Sequence, residues 1–176
     1  MNKNLLNCLL IILSLLSLYT TAYAVNTGWY MGFNMGSAEV DVINESDLGY
    51  KFYGGYLGEN FGAEMGFAGL GDGYTPDNLD IYGLSFDFIG RLPLSASFSV
   101  LGKFGLFWWT VENCDYGYYY YYCPPGSYDD GSDLTYGLGL QYDVNDRVSI
   151  RGEWEEFKDI SGSDVSLLSA GLIYTF

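Results

Sequence analysis

The last eleven residues, Ser166 to Phe176 (SLLSAGLIYTF), place Leu168, Ala170, Leu172, Tyr174 and Phe176 on one parity. In an extended strand successive side chains point to opposite faces, so this segment has one continuous oily face without a charge. The other parity carries Ser169, Gly171 and Thr175, with Leu167 and Ile173 as its apolar members. A soluble sheet turns polar residues outward. This pattern instead suits a strand with lipid outside and a tight, partly polar interior.

The same alternation recurs along the chain. It predicts strands near 28–38, 48–57, 61–70, 80–89, 97–109, 133–142, 147–155 and 165–176. Each is close to the roughly 9–11 residues that a tilted membrane strand needs. The fold expected is all-β, an eight-stranded antiparallel up-and-down transmembrane barrel. With the N-terminus in the periplasm, the outward aromatics fall at two levels. Trp29, Tyr56, Phe61, Phe88, Phe98, Tyr142 and Phe176 lie low; Tyr50, Phe67, Tyr82, Trp108, Tyr136 and Trp154 lie high. Two aromatic belts at headgroup height are a feature of membrane barrels, and a soluble sandwich has no reason to make them.

Charges obey the same parity. A Lys or Arg at mid-depth on a lipid face costs about 2–4 kcal/mol. Lys51, Glu64, Asp87, Lys103, Arg151 and Glu153 all sit opposite the oily face. The connections alternate as well: 58–60, 90–96 and 143–146 are short, whereas 39–47, 71–79, 110–132 and 156–164 are mostly longer and acidic. Pro93 falls in a short turn, and Pro76, Pro124 and Pro125 fall in long loops, where no ladder is broken.

Residues 1–24 read as a secretory signal peptide, with Lys3, an apolar run from Leu5 to Leu18, and Ala22-Tyr23-Ala24 as a small-x-small cleavage site. The run is short of the roughly 20 residues of a helical span. Cys8 lies near the start of that run instead of its end, which argues against a lipoprotein. Cleavage leaves residues 25–176 as one barrel domain, with 6 basic against 22 acidic side chains and a formal charge of −16. Such a charge excludes nucleic acid, which needs Lys and Arg against its phosphates. An aromatic fraction of 19% excludes a disordered acidic chain.

Ser169-x-Gly171-x-x-Tyr174-x-Phe176 resembles the closing strand of outer-membrane barrels. Gly54-Gly55-Tyr56 followed by Gly62-Ala63-Glu64-Met65-Gly66-Phe67 resembles the second and third strands of the OmpA-like eight-stranded family. The likeness covers most of residues 28–176, and does not extend to a peptidoglycan-binding domain, which is not expected here. The resemblance implies export to the cell outer membrane, contact with its lipid and lipopolysaccharide, and folding by the barrel assembly machinery, which reads Phe176 as part of its signal. It also implies that Glu64, Lys103, Arg151 and Glu153 join a salt-bridge network across the lumen, of the kind implicated in a narrow gated conductance. Asp87 stands where the family would suggest a basic residue. The plainer reading of these charges is mutual satisfaction inside a barrel packed shut by side chains.

The sequence contains no histidine. Outer-membrane lipases, lipid A-modifying enzymes and omptin-type proteases share this architecture but rely on histidine, and a lone Ser or carboxylate is a poor catalyst at neutral pH. No enzyme, cofactor or metal site is therefore expected. Cys114 and Cys123 are the cysteines of the exported chain and read as a disulfide in the third long loop. Around them lie Tyr116, Tyr118, Tyr119, Tyr120, Tyr121 and Tyr122, with Tyr128 beyond. Tyrosines supply rigid amphipathic contact area, so this loop is a candidate binding surface for an extracellular ligand; packing on the barrel rim or against lipopolysaccharide accounts for it equally. The acidic loop residues, among them Asp41, Glu45, Asp72, Asp77, Asp129, Asp130, Glu156 and Asp159, read as a solvated repelling surface, with weak divalent-cation bridging to lipopolysaccharide as the alternative.

The function expected is that of a small monomeric outer-membrane barrel with a structural or surface-interaction role. An adhesin of the same fold and a soluble lipocalin-like barrel are its rivals; the latter would need an apolar interior pocket, whereas the inward parity reads as glycine and charge. Deleting Phe176 is expected to lower the amount of folded barrel in the outer membrane, measured as the heat-modifiable gel band. An unchanged band would remove the assembly role.

Overall fold

The computed structural model describes residues 25–40, 45–71, 79–113, 115–117, 120–122 and 128–176. The expected signal segment 1–24, Cys114, Cys123, Tyr118, Tyr119 and the three loop prolines lie outside these residues. Eight strands form a closed barrel: β1 Gly28–Val40, β2 Glu45–Leu57, β3 Phe61–Leu70, β4 Leu79–Pro93, β5 Phe98–Asn113, β8 Tyr128–Asp143, β9 Val148–Ile160 and β10 Ser163–Thr175. Every neighbouring pair is antiparallel, and β1 closes on β10 with Tyr30 opposite Thr175 and Val40 opposite Val165. The Phe176 N–H donates to the Trp29 carbonyl at 3.0 Å, adding a bond at the foot of this seam.

All eight expected strands are present, and several are longer than the alternation indicated. β2, β5, β8 and β9 gain residues mainly at their outer ends, where Ser46, Asp47, Asp129, Asp130 and Lys158 show no oily face to mark them, whereas β4 gains Gly90 to Pro93 at its short-turn end. Two further strands, β6 Asp115–Gly117 and β7 Tyr120–Tyr122, pair as a separate hairpin within the span read as loop. Pro93 is the last residue of β4, opposite Ser99, rather than a turn residue. Its position at a strand end spares the ladder.

Parity separates the two faces as expected. Trp29, Phe61, Phe88, Leu138, Leu168, Leu172 and Phe176 stand exposed around the outside, while Lys51, Glu64, Asp87, Arg151 and Glu153 are buried. Trp29 and Tyr56 meet edge to face near the lower rim, as Tyr136 and Trp154 do near the upper. Residues of this outer face would be a liability in water. In a bilayer they are the surface that lipid wets.

The interior is not only glycine and charge. Ala68, Leu70, Phe107, Trp109, Phe157 and Leu167 form an apolar plug at the outer end, with the Phe107 and Phe157 rings 4.6 Å apart. Tyr30, Tyr53, Leu57, Ile89, Leu101 and Ile173 form a second buried layer nearer the short turns. Inward apolar residues at the outer end of long strands escaped the parity reading because both faces there carry aromatics, as in Trp108 and Trp109.

Eight strands leave a narrow lumen, and glycine is what lets the seam close. A Cβ on Gly171 would lie 1.8 Å from the Phe33 carbonyl oxygen, whereas a Cβ on Gly102 would meet nothing within 4 Å. Gly171→Ala is therefore expected to cost at least the roughly 1–3 kcal/mol of an overpacked core. Gly102→Ala should leave stability within about 0.5 kcal/mol, as for other open surface positions. Equal urea midpoints for the two variants would contradict this account of the seam.

Candidate functional site

The midsection of the lumen holds three cations and four carboxylates. Lys51 on β2, Lys103 on β5 and Arg151 on β9 face Glu64 on β3, Asp87 on β4, and Glu153 and Glu155 on β9. Strand pairing alone sets some of them side by side, with Glu64 directly opposite Asp87. Two like charges in register repel each other, so cations must reach them from other strands: Lys51 from the neighbouring β2, Lys103 from β5 and Arg151 from across the barrel on β9.

Glu64 is the hub. Its Oε1 lies 2.8 Å from Lys103 Nζ and 3.4 Å from Lys51 Nζ, and its Oε2 accepts from Arg151 Nη1 at 2.8 Å and from the Tyr30 hydroxyl at 2.7 Å. Lys51 reaches Glu155 at 2.6 Å and Asp87 at 3.5 Å, while Lys103 reaches Glu153 at 2.5 Å. The network therefore runs through all seven groups. Burying an ion costs several kcal/mol, and this is repaid only where geometry and further hydrogen bonds are good. Asn34 supplies one such bond, donating to Glu153 Oε2 at 3.0 Å, and the Tyr53 hydroxyl donates to Asn34 Oδ1 at 2.8 Å. The Arg151 guanidinium also lies 5.2 and 5.3 Å from the Tyr30 and Tyr53 rings, within cation–π range.

The network continues toward the short turns. Arg151 donates through Nε and Nη2 to Gln141 Oε1 at 3.2 and 3.0 Å, and Gln141 Nε2 donates to Asp143 at 2.8 Å. Below it, Arg91 donates to the carbonyls of Asn26, Gly58 and Glu59 at 2.8, 2.5 and 3.1 Å, tying the first strand's approach to the β2–β3 turn. Polar floor, aromatic layer, ion cluster and apolar plug thus follow one another along the axis. Among the described residues this stack fills the lumen.

The structure brings Glu64, Asp87, Lys103, Arg151 and Glu153 together in this one cluster. Asp87, on β4 where the resemblance suggests a basic residue, takes Lys51 of β2 as its cation at 3.5 Å. Glu155 escaped notice, although it continues the 151, 153, 155 parity of β9. Tyr30, Asn34, Tyr53 and Gln141 also line the cluster, and their signal was the same: each lies opposite a lipid-facing neighbour. No group of three or more potential metal ligands occurs among the described residues.

At the outer rim, Lys158 bonds directly to Asp164 and holds its carboxyl below the usual aspartate range, helped by the Asp159 N–H at 3.0 Å. The tight β9–β10 turn places Asp159, Ser161 and Gly162 at positive φ. Ser161 donates to Asp129 at 2.7 Å, linking this hairpin to β8. Of the tyrosine-rich loop, the backbone pairs Tyr116 with Tyr121 and Gly117 with Tyr120.

A closed eight-stranded barrel with lipid-facing aromatics and a charged lumen has close counterparts. The family model described as an outer membrane protein beta-barrel domain matches residues 8–176. The chain belongs to that family. Among solved structures it is similar to the attachment invasion locus protein Ail of Yersinia pestis, with 18% identity, a TM-score of 0.59, and 85% of this chain and 97% of that one covered. Neisserial surface protein A is similar at 15% identity and a TM-score of 0.61, over 85% and 97%. The N-terminal barrel of Pseudomonas aeruginosa OprF is similar at 10% and 0.59, over 85% and 99%. At these identities the likeness is one of fold. No curated protein is matched by the sequence. This outer membrane barrel therefore has its family from its own sequence and its architecture from both.

Removing one member of the cluster should be costly, because the partners left behind stay buried. Arg151→Ala is expected to lose about 3–5 kcal/mol in urea unfolding from bilayers. Pairing it with Glu64→Ala should recover part of that loss. A purely additive double variant would show that the 2.8 Å contact carries no coupling.

Proposed function

We propose that this protein is a non-catalytic surface barrel of the outer membrane, whose interactions are carried by its acidic, tyrosine-rich outer loops. The observation that carries this reading is the division of the molecule. Its lumen is filled from floor to plug, while β5 and β8 continue past the Trp108 and Tyr136 belt and lead into the β6–β7 hairpin. A filled lumen disfavours conduction as the working role. An apolar interior pocket, which a lipocalin-like carrier needs, is replaced by the ion cluster.

The similarity to an attachment and invasion protein and to a neisserial surface protein favours an adhesive role in the same sense. Ail is also known in complex with the heparin analogue sucrose octasulfate. Fifteen acidic residues lie in or beside the outer loops here, so a polyanion is disfavoured and a basic partner surface is favoured. The absence of histidine from the sequence supports the non-catalytic reading.

The disulfide between Cys114 and Cys123 belongs to the same proposal. Its support is the hairpin register: Asp115 pairs with Tyr122, and the two cysteines are the sequence neighbours that flank this pair. Closing a loop of about ten residues stabilises by roughly 2.7 kcal/mol in the chain-entropy model.

Reduction should leave the barrel folded while opening residues 115–122 to protease, and two free thiols in protein isolated without reductant would overturn the bridge. Bacteria displaying a variant without residues 112–128 should keep the heat-modifiable barrel and bind less to host-cell monolayers. Binding by bacteria displaying the unaltered protein should also fall with added salt, as charge attraction requires. Undiminished binding by the deletion variant would place the function elsewhere.

A further inference from the structure

The lipid-facing surface is not uniform. A groove of about 790 Å³ runs across β10, β1, β2 and β3, walled by Met31, Phe33, Phe52, Met65, Phe67 and Leu172. It exists because Gly54 occupies an outward position between Met31 on one side and Met65 on the other, where every flanking strand presents a large side chain. Its lower end is bounded by Val148 and Tyr174, beside the short β8–β9 turn. From there to Phe67 the groove climbs roughly 15 Å, half the hydrocarbon thickness of a bilayer and hence one leaflet.

A cation stands at the foot of this groove. Arg147 Nη1 lies 3.5 Å from the Tyr174 hydroxyl, and the turn that carries it is held by Asn145 Oδ1, which accepts from the Arg147 and Val148 N–H groups at 2.9 and 3.0 Å. Of the other basic residues beyond residue 24, Lys51, Arg91, Lys103 and Arg151 are buried in the lumen, and Lys158 is ion-paired at the opposite rim. Arg147 is thus the one exposed cation without an ion pair among the described residues.

We propose that this groove is a binding site for one diacyl phospholipid of the periplasmic leaflet. Its acyl chain lies along Gly54 between Met31 and Met65, and its phosphate is held by the Arg147 guanidinium with the Tyr174 hydroxyl as second donor. The planar guanidinium suits a phosphate by offering two parallel N–H groups. Depth selects the leaflet: short turns face the periplasm in barrels of this kind, so lipopolysaccharide meets the other rim. The site rests on the outer-membrane reading of the fold, not on the role proposed for the loops.

The test is native mass spectrometry of the full chain in detergent, titrated with dioleoyl phosphatidylglycerol and, separately, with lipid A. Unaltered protein should retain one phosphatidylglycerol. Arg147→Gln should weaken retention about tenfold or more, the scale of a lost hydrogen bond to a charged group. Gly54→Leu, whose Cβ has one close approach, to the Tyr30 carbonyl at 3.3 Å, should weaken it by filling the groove. Lys158→Gln should bind as the unaltered protein does. Heat-modifiable migration of each variant tests the barrel reading separately. Equal retention by all variants, preference for lipid A, or occupation of the groove by a second copy of the chain, seen as a doubled mass, would each overturn the site.

Discussion

A backbone amide inside hydrocarbon has no water to bond, and every other feature of this molecule follows from that. An open sheet would leave one edge of N–H and C=O groups unsatisfied, at a cost of several kcal/mol for each. Pairing β1 with β10 from Tyr30–Thr175 to Val40–Val165 removes the edge. Closure then divides the side chains into two populations by parity alone. One population meets lipid and is apolar; the other meets itself in a space that eight strands leave just wide enough for side chains to fill.

That crowding explains why the interior is layered. Charges placed in the midsection must find partners on other strands, since the Glu64–Asp87 neighbours directly opposite each other repel. Lys51, Lys103 and Arg151 each reach more than one carboxylate, so no cation depends on a single partner. Above them Phe107, Trp109 and Phe157 exclude water, and below them Arg91 and Gln141 tie the turns to the cluster. Low dielectric between these layers strengthens every ion pair and raises the cost of leaving one unmade.

Much of this was legible in the sequence wherever an environment imposes contrast. Lipid on one side and protein on the other made Trp29, Met31 and Phe33 stand apart from Tyr30, Gly32 and Asn34, so the strands and the buried charges could be read from parity. The contrast fades above the membrane. Outer ends of β2 and β8 have water near both faces, their alternation is lost, and their extent was read as loop. Trp108 and Trp109 are adjacent and opposite-facing, which no composition argument distinguishes. Glu155 was missed because it sits where the oily face of β9 gives way to the charged Glu156 and Lys158. Which cation serves which carboxylate depends on distances across the lumen, and these are not written in any one strand.

The ion cluster has a consequence outside the barrel. By drawing three of the six basic side chains of residues 25–176 inside, with Arg91 buried in the floor below it, it strips the exterior of countercharge, and the outer rim is left with Lys158 alone among many carboxylates. Two copies drifting together in the plane of the membrane meet acid against acid at that rim. Their repulsion reaches about 8 Å at physiological ionic strength and further in dilute media. Close lateral approach of two copies is therefore opposed by charge at that rim, and more strongly in dilute electrolyte.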